Sequence, residues 1–144
     1  RTIKKRLKVQ GNAEDLCGEK GRMIEDVINI SPQLLSPKLK VNFNRLTLVD
    51  RHHKERLTID TNLSVKNGVT SKLFDQLIIA EIKQNKYETN SEFIQIIRDM
   101  KIPEMRFSKY CMGMLHVNNK IKYNRFKPKL LYINRLLRSD QNIG

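Results

Sequence analysis

Glu81 and Lys83 are the residues of this chain whose types and spacing most suggest chemistry. They lie two positions apart, after the apolar run at residues 77–80. Alternate side chains of a β-strand point to the same face, so this carboxylate and this ammonium group would share one wall. A carboxylate suits Mg²⁺ or Mn²⁺, and a lysine suits phosphate oxygens. The pair predicts a pocket for a polyanion that arrives with a divalent metal, and an ordinary surface ion pair is the alternative.

Further cations fall on the polar faces of other predicted strands. A solvated face explains any one such strand, but repetition over several strands favours a surface on which like charges converge. Convergence of this kind is repulsive unless an anion occupies the site, and both arginine and lysine suit phosphate. Asp60, on the predicted face of Arg56, is a weaker second candidate for a metal ligand. The strand cations are Lys4, Arg6, Lys8, Arg45, Arg56 and Lys83.

Arg106, Ser108 and Lys109 form a second group of candidate phosphate ligands at the predicted start of a helix. Helix N-termini attract phosphate through their free backbone N–H groups, and two cations would reinforce that attraction. A capped helix with solvated basic residues is the alternative interpretation.

Hydrophobic periodicity and the positions of proline and glycine predict the elements that must hold these residues. The order is strand, helix, three strands and then mostly helix, which indicates an α+β fold. Thr89 is the expected N-cap of a helix that ends at Pro103, with Glu92 completing a capping box. The other predicted elements are a strand at 1–9, a helix at 20–30, strands at 40–49, 55–63 and 73–83, and helices at 108–115 and 128–138.

Composition narrows the classes of partner. The 144 residues suit one domain, 1–144, and 28 Lys and Arg against 15 Asp and Glu give a net charge of +13, which predicts an anionic partner. Aromatic residues are only 6% with no stacking cluster, so a nucleic acid is disfavoured. Two cysteines outside any metal-binding spacing argue against a disulfide framework and a zinc site. No apolar run approaches the roughly 20 residues that span a bilayer.

Four segments in order resemble the VTC domain, the polyphosphate polymerase domain of the vacuolar transporter chaperone family. They read FNR at 43–45, ERLTIDTNL at 55–63, AEIK at 80–83 and RFSKYCMG at 106–113. This family belongs to the triphosphate tunnel metalloenzymes, together with CYTH proteins. The resemblance implies an antiparallel β-barrel tunnel with flanking helices, of which this chain holds only the C-terminal part. The N-terminal half is expected upstream, so the fragment alone is expected to be inactive unless two copies pair as a homodimer.

The resemblance also implies roles for individual residues. The γ-phosphate of ATP would pass to a polyphosphate chain, with Glu81 holding Mn²⁺ or Mg²⁺ and with Lys83 and Arg56 as the catalytic cations. The implied compartment is the cytoplasm or the cytoplasmic face of a membrane. Two departures from the family pattern are Phe43, where tyrosine is common, and Arg106, where lysine can occur. The implied phosphate ligands are Lys4, Arg6, Arg45, Arg56, Lys83, Arg106, Ser108 and Lys109.

Two other functions stay open on the sequence. A hydrolase of the same superfamily would cleave tripolyphosphate or a nucleoside triphosphate at a site of overlapping chemistry. A non-catalytic module would bind polyphosphate or nucleic acid through charge alone.

Overall fold

The computed structural model describes residues 7–8, 15–52, 54–86 and 88–139. The chain divides into two compact units, Arg1–Lys38 and Leu39–Gly144. A single domain over residues 1–144 stays a prediction. The expected strand at 1–9 lies almost wholly outside the described residues.

The first unit contains helix α1, Glu19–Ile28, and a 3₁₀ helix, Pro32–Leu34. The predicted helix at 20–30 is therefore confirmed. It ends because Asn29 adopts a left-handed conformation, φ 53°, and its N–H donates to the Glu25 carbonyl at 2.8 Å. Asparagine tolerates this region better than most residues, and such a turn closes a helix.

In its described residues, the second unit contains a four-stranded antiparallel sheet and three α-helices. Its strands are β1 Lys40–Val49, β2 Glu55–Asn67, β3 Thr70–Phe74 and β4 Ile79–Gln84. Its helices are α2 Glu92–Asp99, α3 Lys109–Val117 and α4 Lys127–Ser139, with a 3₁₀ helix at Asn124–Phe126 before α4. The α+β class and the antiparallel sheet are confirmed, and the described strands form an open sheet.

Strand β2 is the central strand. It pairs along one side with β1, and along the other side first with β4 and then with β3. The predicted single strand at 73–83 is wrong, because β3 and β4 are separated by a turn. That turn brings the N–H of Leu77 to the Phe74 carbonyl at 3.2 Å and buries the Leu77 side chain in the core.

A bulge in β2 decides which residues share a face. Asn62, with φ 53°, lies where the register against β1 shifts between Asn42 and Asn44. The extra residue changes the alternation of β2, so Leu63 and Val65 join the face that carries Asp60. That single face therefore holds both the hydrophobic core and the charged residues of interest.

Helix α3 packs on this face and forms the core with β2 and β3. The buried core residues are Leu63, Val65, Phe74, Leu77, Met112 and Ile133. Gly113 permits the close approach, since a Cβ atom there would lie 2.7 Å from Leu39 Cδ2 and 2.8 Å from Val65 Cγ1. The docking of α3 fixes where its first residue, Lys109, can reach.

Serine side chains cap the N-termini of helices α2 and α3. The N-cap of α2 is Ser91, whose Oγ accepts from the Ile94 N–H at 3.3 Å, so the prediction of Thr89 is wrong. The helix also ends at Asp99, before Pro103. Both later helices are confirmed within a few residues, and Ser108 caps α3 by accepting from the Cys111 N–H at 3.3 Å.

Candidate phosphate-binding face

Strands β1, β2 and β4 place four of the predicted ligands, Arg45, Arg56, Glu81 and Lys83, on one face of the sheet. In the antiparallel register, Arg45 lies opposite Asp60 on β2, and Arg56 lies opposite Lys83 on β4. Glu81 lies between these pairs, opposite Thr58. Directly opposed residues of antiparallel strands point the same way, so these charged side chains share a surface.

Asp60 is the centre of this surface. Its side chain is only 1% exposed, and the Arg45 guanidinium donates to both carboxylate oxygens, from Nε at 2.6 Å and from Nη2 at 2.7 Å. Lys109 Nζ, at the start of α3, lies 2.5 Å from Asp60 Oδ2. A bidentate arginine contact fixes orientation as well as distance. Asp60 therefore holds two candidate phosphate ligands from different elements side by side.

These contacts leave hydrogen-bond donors for a ligand. The guanidinium of Arg45 has five N–H donors and the ammonium of Lys109 has three, and Asp60 engages only part of each set. The Arg45 side chain is 39% exposed and that of Lys109 is 20% exposed. The remaining N–H groups can bind an anion.

The Phe43 ring contacts the same two cations, Arg45 and Lys109. It lies 4.9 Å from Arg45 Cζ and 4.9 Å from Lys109 Nζ. Such cation–π contacts add a modest attraction, roughly 0.5–1 kcal/mol each at exposed sites. The aromatic ring thus contributes here without the phenol hydroxyl that tyrosine would bring.

Glu81 and Lys83 form an ion pair in the open part of the face. Lys83 Nζ lies 2.8 Å from Glu81 Oε1, and the two side chains are 49% and 46% exposed. The hydrogen bond from Lys83 lowers the pKa of Glu81, and the charges of Lys83, Lys109 and Arg45 lower it further against the opposing effect of burial. Glu81 is therefore an ionised and accessible carboxylate. It lies close enough to feel the charges of the cluster formed by Asp60, Arg45 and Lys109, which we call the Asp60 cluster.

Arg56, like Arg45 and Lys83, is an exposed cation of this face. It lies opposite Lys83, and among the residues described it has no carboxylate within salt-bridge distance. Like charges opposed across strands are destabilising. An anion between Arg56 and Lys83 would relieve that repulsion.

A divalent metal fits only one carboxylate of this face. The oxygens of Asp60 are occupied by Arg45 and Lys109, which makes Asp60 a poor metal ligand. Within the described ranges, no group of three or more His, Cys, Asp or Glu side chains could hold a metal ion. Glu81 fits the need of Mg²⁺ or Mn²⁺ for hard oxygen ligands, provided that phosphate and water oxygens complete the shell.

Arg106 and Ser108 lie in a different environment from Lys109. Both line a cavity of about 160 Å³, with Phe107, Met112, Phe126 and Lys129. Lys129 Nζ donates to the Arg106 carbonyl at 2.6 Å. Of the three predicted ligands at the start of α3, Lys109 is the one that reaches Asp60. Lys4 and Arg6 lie outside the described residues.

The model of the VTC domain family matches residues 2–118. The chain belongs to the VTC domain family. The match includes every element that builds the charged face, from β1 to α3, and ends before the 3₁₀ helix that precedes α4. No curated protein and no solved structure matches the chain.

Membership of the VTC domain family connects the chain with polyphosphate polymerases in general. None of the helices in the described part of the chain has the length and apolar character needed to cross a membrane.

In this VTC domain, sequence reasoning missed three contributors. Asp60 was predicted only as a weak metal ligand, whereas it pairs with two cations. Phe43 was noted as a departure, but not as a surface for Arg45 and Lys109. The one sequence signal for the Arg45–Asp60 pair was the spacing of the two residues across the predicted hairpin. No sequence pattern indicated the third contributor, Lys129.

We expect the Asp60 cluster to make the folding stability of this VTC domain sensitive to acid. Hydrogen bonding to Arg45, foremost, and the contact with Lys109 outweigh burial and lower the pKa of Asp60 from 3.8 to about 2. Because the folded pKa is depressed, this stabilisation is present above pH 3.8 and is lost as the pH falls through about 2. It is on the order of 2 kcal/mol.

The check compares urea unfolding of the native chain and the Asp60→Asn variant. We expect the difference in unfolding free energy to be largest near pH 6 and to shrink as the pH is lowered from about 4 towards 2. Other carboxylates titrate in both proteins, so the difference isolates Asp60. A difference that does not change with pH would contradict the prediction.

Proposed function

We propose that the charged face of this VTC domain binds the triphosphate of ATP and the end of a polyphosphate chain, and supports transfer of the γ-phosphate to that chain. The observation that supports the proposal is the gathering of four cations on one sheet face. Arg45, Arg56, Lys83 and Lys109 stand against the two carboxylates Asp60 and Glu81, which leaves a net charge of +2.

The chemistry needs no side-chain nucleophile. The terminal phosphate of the acceptor chain attacks the γ-phosphorus of ATP, and ADP leaves. Negative charge lies mainly on the phosphoryl oxygens in the transition state, so fixed cations lower the barrier by positioning and by electrostatic stabilisation.

Arg56 and Lys83 are proposed as the cations closest to the transferred phosphate. They face each other across two strands and the face is open there, so an anion can bind between them. Arg45 and Lys109 are proposed to hold a neighbouring phosphate, because Asp60 has already set their positions. Side chains that are already held in position lose less conformational entropy when the phosphate binds.

Glu81 is proposed to hold Mg²⁺ or Mn²⁺ together with phosphate and water oxygens. The metal, when bound, would neutralise negative charge on the phosphate oxygens. Glu81 would direct it to this part of the face, and Lys83 would exchange its contact with Glu81 for one with the phosphate.

We also propose that the open sheet is one wall of a tunnel. The outer edge of β1 has no partner strand among the described residues, and the charged face is covered only in part. Further strands, or a second copy of the chain, would enclose the polyanion and exclude water, which strengthens its interactions with the cations.

The decisive experiment is ³¹P NMR after incubation of the full-length protein with ATP and Mn²⁺. Growth of signals from internal phosphates of a chain supports the polymerase. Release of orthophosphate alone would instead indicate a hydrolase. Binding of tripolyphosphate without any turnover would indicate a non-catalytic polyphosphate-binding module.

Arg56→Ala is expected to weaken tripolyphosphate binding about tenfold, which corresponds to 1.4 kcal/mol. The reason is the loss of an exposed cation that no described carboxylate neutralises. Isothermal titration at low and at moderate salt measures the affinity, and the salt dependence should weaken as well. Arg98→Ala, an exposed arginine on α2, is the matched control. Equal losses in the two variants would mean that only overall charge matters.

A further inference from the structure

Three of the four cations of a second basic group, Arg125, Lys127 and Lys129, lie beyond the part of the chain that matches the family, and the fourth, Arg106, lies within it. Residues 119–139 carry seven Lys and Arg and no Asp or Glu, whereas the family match ends at residue 118. The VTC domain pattern therefore does not account for this charge.

The start of α4 joins this group to the proposed phosphate face. Lys129 Nζ donates to the Arg106 carbonyl at 2.6 Å and lies 6.0 Å from the centre of the Phe126 ring. Lys129 and Phe126 line the same cavity as Arg106 and Ser108. One residue beyond Ser108, Lys109 is bound to Asp60. Lys109, the first residue of α3, thus contacts the sheet face, and the start of α4 contacts the segment just before α3 through Lys129 and the Arg106 carbonyl.

The charges at the start of α4 are not explained by stability of the fold. Lys127 and Lys129 occupy its first turn, Arg125 precedes them, and this turn contains no acidic residue. Cations at this end of a helix oppose the helix dipole, and they repel one another. Among the described residues, none of these three is paired with a carboxylate. A local rule broken without a compensating carboxylate is typical of a functional surface.

We propose that a long polyphosphate chain bound at the sheet face continues past α3 onto an outer basic cluster of Arg106, Arg125, Lys127 and Lys129. This inference rests on the proposed function, because it extends the same ligand. A repeating inorganic anion fits the observations, since the cluster offers point charges in series. A triphosphate is expected to occupy the sheet face without the outer cluster.

The consequence is a dependence of affinity on chain length. Titrations of the full chain compare tripolyphosphate with long-chain polyphosphate. We expect Arg125→Gln combined with Lys129→Gln to weaken binding of the long chain on the order of tenfold, and to change binding of tripolyphosphate less than about twofold.

Two further variants make the test specific. Lys66→Gln combined with Lys72→Gln removes the same charge from the β2–β3 hairpin and should affect neither ligand selectively. Arg125→Gln combined with Lys127→Gln keeps the Lys129 contact to Arg106, and it replaces only exposed side chains. This variant should also lower the affinity for long-chain polyphosphate selectively. The proposal therefore stays testable if the variant with Arg125→Gln and Lys129→Gln fails to fold.

Several outcomes would overturn the proposal. Equal losses for both ligands would place the cluster within the main site, and no loss for either would remove it from the path. Binding to phosphatidylserine vesicles that both variants abolish, with long-chain binding unchanged, would assign the cluster to an anionic membrane. If the native chain binds long-chain polyphosphate and tripolyphosphate with equal affinity, only the extension fails. If it binds neither, the proposed function fails as well.

Discussion

Glu81→Gln is expected to abolish the metal-dependent part of triphosphate binding and to reduce phosphoryl transfer at least 100-fold. The carboxylate of Glu81 is ionised and half exposed, whereas the oxygens of Asp60 are occupied by Arg45 and Lys109. A neutral amide keeps the size of the side chain but is a much weaker ligand for Mg²⁺ or Mn²⁺. Loss of a metal that stabilises charge in the transition state removes several kcal/mol.

The measurement has a readout that does not depend on turnover. Titration of tripolyphosphate with and without Mn²⁺ should show a metal-dependent gain in affinity in the native chain and none in the variant. Metal-free binding should be largely spared, because Glu81 itself repels the anion. Glu25→Gln, an exposed glutamate on α1, is the control. A full metal-dependent gain in the Glu81 variant would refute the ligand role.

Asp60→Ala is expected to lower the free energy of unfolding by about 2–3 kcal/mol. Removing one partner of a buried ion pair is expensive because the remaining charges lose their compensation. The loss stays below the largest known values, since Arg45 and Lys109 are partly exposed and can turn towards water. Asp75→Ala removes an exposed carboxylate from the turn between β3 and β4, and should change stability by less than about 0.5 kcal/mol.

An added anion should rescue the Asp60 variant. Tripolyphosphate would supply the negative charge that Arg45 and Lys109 have lost, so it should raise the melting temperature of the variant more than that of the native chain. A double-mutant cycle with Lys109→Ala measures the coupling within the cluster. Additive effects of the two substitutions, or an equal ligand shift in both proteins, would show that Asp60 does not organise these cations.

The alternation of residues along the strands could be read from the sequence. It correctly predicted that Arg56, Thr58 and Asp60 share a face, and that Glu81 and Lys83 do. The break between β3 and β4 could not be read, because the apolar run at 77–80 continues through it. Leu77 turns into the core there, and the Asp75–Gln76 turn has no strong local signal.

The partner of Arg45 depends on the hairpin register. Val49 pairs with Arg56, and the loop is closed by Asp50, whose N–H donates to the Glu55 carbonyl and whose carboxylate accepts from the Glu55 N–H. A register shifted by one residue would have placed Arg45 opposite Ile59 instead of Asp60. The loop length alone does not distinguish these registers.

The sequence by itself determined the charge, the strand alternation and the identity of the candidate ligands, because each depends on residue type and local spacing. Only the tertiary structure decided that Asp60 joins Arg45 to Lys109, and that Arg106 and Ser108 turn to another cavity. Those contacts require the bulge at Asn62 and the close packing of α3 at Gly113, which bring together residues up to 49 positions apart along the chain. Such pairings are set by long-range packing, which no local pattern encodes.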